Sequence, residues 1–61
     1  MRVIAMNKRT FDIIEINQVD LIEVIGTGGT HIIVHGIIAG ADAATNNQFA
    51  RDDYIVRIMN S

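Results

Sequence analysis

The chain lacks cysteine and proline altogether, and only three of its 61 residues are aromatic. Without cysteine, neither a disulfide framework nor a cysteine zinc site can stabilise the fold. Long apolar runs are also missing: no 18 consecutive apolar residues occur, and residues 1–9 contain no apolar stretch of signal-peptide length. We therefore expect a cytoplasmic protein that makes no contact with a membrane.

The chain is rich in β-branched aliphatic residues, with twelve isoleucines and five valines against a single leucine. Such side chains pack well on a pleated surface and favour strands. A composition of 49% hydrophobic and 20% charged residues excludes a disordered chain. The length is too short for two separate cores. We expect a single, mainly β domain over residues 1–61.

Alternation of side chains and turn-forming residues divide the chain into five predicted strands, at residues 2–6, 11–16, 19–25, 30–38 and 54–59. Polar residues 7–10 form a predicted turn. The Gly26-Thr27-Gly28-Gly29 segment predicts a hairpin, because glycine adopts the positive φ angles that tight turns require. The pattern favours a small five-stranded barrel or a strongly bent antiparallel sheet, of SH3-like or Sm-like size.

Residues 39–53 depart from the β pattern, because small and amide side chains replace the aliphatic ones. Thr45 and Gln48 have the spacing of a helix capping box, which predicts one or two helical turns near residues 46–52. The two asparagines in this segment are poor helix formers, so a loop is the alternative.

Apolar residues occupy both faces of the predicted strands, as is typical of strands that are covered on two sides. A domain of about 60 residues buries only about 60% of its surface. We therefore expect a second copy of the chain to cover the remaining face. Strand 30–38 has the most apolar pair of faces and is the predicted centre of this contact. The predicted interface residues are Ile32, Ile33, Val34, Ile37 and Ile38.

His31 and His35 lie on one face of the same predicted strand, about 13 Å apart at about 3.3 Å per residue. This separation is too large for one metal ion to bind both. Each histidine is predicted to meet a second copy or a carboxylate such as Glu23, and two such contacts would make an interface respond to pH near 6 to 7. A half-exposed surface histidine is the simpler interpretation. We predict neither a metal nor a cofactor.

The residues needed for catalysis are not found together in the sequence. The only serine is Ser61, and the carboxylates of Asp12 and Glu15 alternate onto opposite faces of their strand. The glycine loop precedes a strand, whereas a phosphate-binding loop opens a helix. We therefore predict no catalytic residues and no enzymatic activity.

All the basic residues lie near the two ends of the chain, whereas residues 10–50 contain none. If the terminal strands pair, the basic side chains gather on one side and the acidic ones on the other. Ordinary solvated charges are the simpler interpretation. The candidate anion-binding residues are Arg2, Lys8, Arg9, Arg51 and Arg57.

The sequence thus predicts a small self-associating protein-interaction or assembly module without catalytic activity. Its main predicted partner is a second copy, and another protein is a further candidate. The alternative is a small-barrel protein that binds RNA or DNA through the basic residues, with Tyr54 as a stacking surface. A net charge of −2 and the scarcity of aromatic residues make nucleic-acid binding less favoured than self-association.

Overall fold

The computed structural model describes residues 1–60, which form one antiparallel sheet of five strands and contain no helix. The strands are β1 (Arg2–Asn7), β2 (Ile13–Ile25), β3 (His31–Ile38), β4 (Thr45–Ala50) and β5 (Tyr54–Met59). Their order across the sheet is β4-β3-β2-β1-β5. The mainly β prediction is confirmed. The sheet is open, with β4 and β5 as its edge strands, so a closed barrel is not formed.

The predicted strands at residues 2–6, 30–38 and 54–59 correspond to β1, β3 and β5. The glycine turn between β2 and β3 is also confirmed, and Gly26, Gly28 and Gly29 all have positive φ angles. The two strands predicted at residues 11–16 and 19–25 are joined in one long strand, β2, which begins only at Ile13 because Phe11 has a positive φ of 65°. The helical turns predicted near residues 46–52 are wrong, because strand β4 occupies that region.

Strand β4 forms because its side chains make hydrogen bonds and apolar contacts with the neighbouring strand β3. The Asn47 Nδ2 donates hydrogen bonds to the carbonyl oxygens of Val34, at 3.1 Å, and Thr45, at 3.0 Å. Phe49 lies opposite Ile32 and is almost completely buried. These contacts with β3 outweigh the local capping signal, since intrinsic helix preferences are weak compared with tertiary packing.

Strand β2 contains a bulge that divides it into two halves. Four residue steps on β2, from Asn17 to Leu21, match only two on β3. Gln18, within the bulge, has a positive φ of 51°. The extra residues bend the strand. Residues 13–16 pair with β1, whereas β3 pairs with Ile16 and Asn17 before the bulge and with residues 21–25 after it. Strict alternation places Val19 and Leu21 on the same face, but Val19 is buried and Leu21 is exposed.

The core lies on the inner face of the bent sheet. Its buried residues are Val3, Ala5, Ile16, Val19, Val34 and Phe49. Partly buried residues from β2, β3 and β5 pack around them, including Ile14, Ile22 and Val56. The turn of residues 51–53 joins β4 to β5, although these strands lie at opposite edges of the sheet. The sheet therefore curves enough to bring one end of each edge strand together.

Candidate interaction surface

The outer face of the sheet carries a row of three apolar side chains across β2, β1 and β5. Met6 lies opposite Ile13 on one side and opposite Ile55 on the other. Residues directly opposite each other share a face, and the neighbouring Ala5 is fully buried, so this row points away from the core. Ile13 is 64% exposed and Ile55 is 45% exposed. A continuous apolar strip therefore faces solvent.

The next row on this outer face combines charge with an apolar centre. Ile4 lies between Glu15 on β2 and Arg57 on β5. Arg2 borders this row, with one guanidinium nitrogen 4.0 Å from a Glu15 carboxylate oxygen and another 3.7 Å from the Met59 sulfur. We call the two rows together the β2–β1–β5 surface. It consists of Ile4, Met6, Ile13, Glu15, Ile55 and Arg57.

Strand β3, the predicted centre of the interface, contributes less exposed surface than its sequence pattern indicates. Val34 is 0% exposed, and Ile32 and Ile38 share its inner face and pack against the core. Ile33 and Ile37 point outward and are half-buried. The physical reason is that β3 lies between β2 and β4, and the bent sheet covers its inner face. Within residues 1–60, none of the exposed large hydrophobic side chains lies on β3.

The structure divides the five candidate anion-binding residues into two groups. Lys8 and Arg9 lie in the turn between β1 and β2, and Arg51 lies in the turn between β4 and β5. The Lys8 ammonium donates a hydrogen bond to the Arg51 carbonyl oxygen at 3.2 Å. Arg2 and Arg57 lie instead on the outer face of β1 and β5. The five side chains therefore do not form a single basic patch.

A shallow open depression of about 390 Å³ lies between these two turns. Its lining residues are Asn7, Lys8, Arg9, Asp52, Asp53 and Tyr54. The two aspartates balance the charge of Lys8 and Arg9. Together with the contact between Arg2 and Glu15, they show that basic and acidic residues intermix. The separation of charge predicted from the sequence is absent from the described residues.

The two histidines on β3 have different neighbours. The His35 Nδ1 lies 2.5 Å from an Asp20 carboxylate oxygen, and this hydrogen bond lowers the pKa of Asp20 below its ordinary value. The His31 Nδ1 lies 2.8 Å from the Thr30 hydroxyl. The carboxylate predicted as a histidine partner was Glu23, and the contact with Asp20 was not predicted, because the bulge changes the alternation of β2. The only signal was the polar interruption at residues 17–18.

Within residues 1–60, no three histidine or carboxylate side chains are close enough together to hold a metal ion. The only serine, Ser61, lies outside the described residues. No helix in the described part of the chain has the length and apolar character needed to cross a membrane. Comparisons with protein-family models, curated proteins and solved structures find no match to this chain.

Proposed function

We propose that this protein is a small self-associating interaction module that works by binding and not by catalysis. The observation that carries the proposal is the solvent-facing apolar row formed by Ile13, Met6 and Ile55. Burial of apolar surface stabilises a contact by about 25 cal/mol per Å². Contiguous exposed apolar surface is typical of places where proteins meet. The β2–β1–β5 surface, not β3, is therefore the proposed interface.

A second copy of the chain is the preferred partner, because it needs no other component and presents a surface of the same chemistry. Homo-oligomers of this kind commonly form through one self-complementary patch on each subunit. Another protein with an apolar sheet face is the further candidate partner. No catalytic step is part of the proposal, because His31 and His35 are four residues apart on one strand and do not meet.

Sedimentation equilibrium of the full chain tests self-association directly. Over about 1 to 100 µM, we expect the average mass to rise above the 6.7 kDa of one chain. The variant Ile13→Asp places a charge in the apolar row and should return the protein to a monomer. Leu21→Asp is the matched control, because Leu21 is another exposed residue of β2 outside the proposed interface. A single 6.7 kDa species over the whole range contradicts the proposal.

A second candidate function, binding of RNA or DNA, is favoured by one observation. Lys8, Arg9 and Arg51 lie at the same end of the molecule as Tyr54, next to the shallow depression. Two features oppose this function. Asp52 and Asp53 line the same depression, and the half-buried Tyr54 ring already packs against Phe49. Phosphate attraction and base stacking are therefore both weakened.

Binding of labelled single-stranded RNA and DNA separates the two functions. A nucleic-acid binder should retain the labelled strand at about 20 mM salt and release it at about 200 mM. The triple variant Lys8→Ala, Arg9→Ala, Arg51→Ala should lose this binding. Arg57→Ala is the control, because Arg57 belongs to the second basic group, on the outer face of β1 and β5. We expect no binding by the unmodified protein, and salt-dependent retention would favour the second function instead.

A further inference from the structure

Opposite charges lie symmetrically on the two sides of β1 in the β2–β1–β5 surface. Glu15 on β2 and Arg57 on β5 both face Ile4, which lies between them. Adjacent strands are about 4.8 Å apart, so the two charged residues are separated by about 10 Å across the sheet. The apolar row has the same symmetry, since Ile13 and Ile55 lie on either side of Met6. If the two sides of β1 are exchanged, each charged residue therefore meets a residue of opposite charge, and each apolar residue meets an apolar one.

We infer that two copies pack face to face through this surface, about a two-fold axis that runs parallel to β1. This inference rests on the proposed function and adds the geometry of the contact. A half-turn about such an axis exchanges the two sides of β1. It therefore places Glu15 of each copy opposite Arg57 of the other. The same rotation places Ile13 opposite Ile55 of the second copy. Ile4 and Met6 then lie opposite Ile4 and Met6 of the second copy.

Charge distinguishes this axis from a two-fold axis in the same plane that runs perpendicular to the strands. An axis perpendicular to the strands, through the row of Ile4, places Glu15 opposite Glu15 and Arg57 opposite Arg57. Like charges directly opposite each other are destabilising, and such contacts exclude incorrect arrangements in protein interfaces. Of these two axes, the one parallel to β1 brings both pairs of opposite charges together and also buries the apolar row.

The charged side chains are available for contacts between copies. Arg57 is exposed and makes no ion pair within residues 1–60. Glu15 has one charged neighbour, Arg2, but that contact is long, at 4.0 Å, and exposed. Such pairs contribute little to stability. The half-turn also places Arg2, at the border of the surface, opposite Arg2 of the second copy; the contact of Arg2 with Glu15 of its own chain offsets part of this repulsion.

Charge exchange tests this arrangement. Arg57→Glu alone and Glu15→Arg alone each replace two attractive pairs with two repulsive ones, so each should weaken self-association by about tenfold or more. The double variant Glu15→Arg, Arg57→Glu restores both pairs and should associate nearly as well as the unmodified protein. An equimolar mixture of the two single variants should also associate, because each subunit then faces the opposite charge.

Two controls have the same changes of charge outside the surface: Arg51→Glu for Arg57→Glu, and Glu23→Arg for Glu15→Arg. Neither control should change the association constant by more than about threefold at moderate ionic strength. Circular dichroism establishes that each variant is folded. If a single charge reversal prevents folding, the neutral variants Arg57→Gln and Glu15→Gln replace it, and each should weaken association by about threefold.

The outcomes separate this inference from the proposed function. If the unmodified protein self-associates and the charge reversals leave its association unchanged, the inferred axis is wrong and self-association stands. The same conclusion follows if both single reversals weaken association and the double variant fails to restore it. If the unmodified protein remains a monomer, the proposed function and the inference are both wrong.

Discussion

The rings of Phe49 and Tyr54 pack edge to face, with centroids 5.1 Å apart, although their strands β4 and β5 lie at opposite ends of the sheet. This contact holds the curved sheet together at one end. The curvature covers the centre of the inner face, although Val24 and Ile58 at its margins stay exposed, and it leaves the outer face of β2, β1 and β5 in solvent. The same bend therefore explains both the small core and the exposed β2–β1–β5 surface.

A double-mutant cycle measures the contact between Phe49 and Tyr54. The variants Phe49→Leu and Tyr54→Leu keep an apolar side chain at each position but remove the ring pair. We expect a coupling free energy of about 0.5 to 1.5 kcal/mol, since aromatic pairs contribute this much beyond their burial. Urea unfolding at one fixed protein concentration gives the four free energies. Strict additivity of the two substitutions would show that the rings do not support the bend.

Gly36 on β3 leaves no space for a side chain. A Cβ at this position would lie 2.7 Å from a methyl carbon of Ile16 and 2.8 Å from the Asn17 carbonyl oxygen. We expect Gly36→Ala to lower the free energy of unfolding by about 3 kcal/mol, because excess volume in a packed core forces the backbone to move. Denaturant unfolding measures the change.

The comparison for Gly36→Ala is Gly28→Ala in the exposed glycine turn. A Cβ at Gly28 has no atom within 4 Å, and its φ is 75°. This substitution should cost only about 1 kcal/mol, from the left-handed backbone conformation. An equal or larger loss of stability in Gly28→Ala would contradict the packing explanation for Gly36.

Asn47 attaches β4 to β3 through its side-chain amide. Asn47→Asp removes both N–H groups that donate to the carbonyls of Val34 and Thr45, so we expect a loss of about 1 to 3 kcal/mol. Hydrogen exchange should show faster exchange for the amides of β4. The neighbouring Asn46→Asp is the matched control, because Asn46 is exposed and should change stability by less than about 0.5 kcal/mol. Equal losses of stability at both positions would show that the added negative charge, and not the loss of the Asn47 hydrogen bonds, causes the effect.

The contact between Asp20 and His35 should make the stability of the fold depend on pH. The hydrogen bond from His35 lowers the pKa of Asp20 in the folded protein, and an unfolded aspartate titrates near about 3.9. The resulting stabilisation is complete above that pH and is lost as the pH falls through the lower, folded-state pKa. NMR titration of the Asp20 carboxyl carbon should give a midpoint below the ordinary value, and His35→Ala should raise it. The same midpoint in both proteins would contradict the assignment.

Local sequence signals predicted a large part of the fold. β-branched residues and alternation located β1, β3 and β5, and glycine located the turn before β3, because these preferences act within a few residues. The bulge at Gln18 and the strand β4 were not predictable in this way. Both depend on what the chain meets elsewhere in the sheet, and Phe49 and Asn47 become strand residues only because β3 is there to receive them.

The candidate surface shows the same division. The sequence alone determined that the protein is mainly β and that apolar residues occur on both faces of its strands, because these properties follow from residue type and from the two-residue period of a strand. Only the tertiary structure decided which face remains exposed and which strands are neighbours. Pairing of β1 with both β2 and β5 brings Ile13, Met6 and Ile55 into one row and places Glu15 and Arg57 on either side of Ile4. These residues are far apart in the chain, and no local preference specifies pairing over such distances.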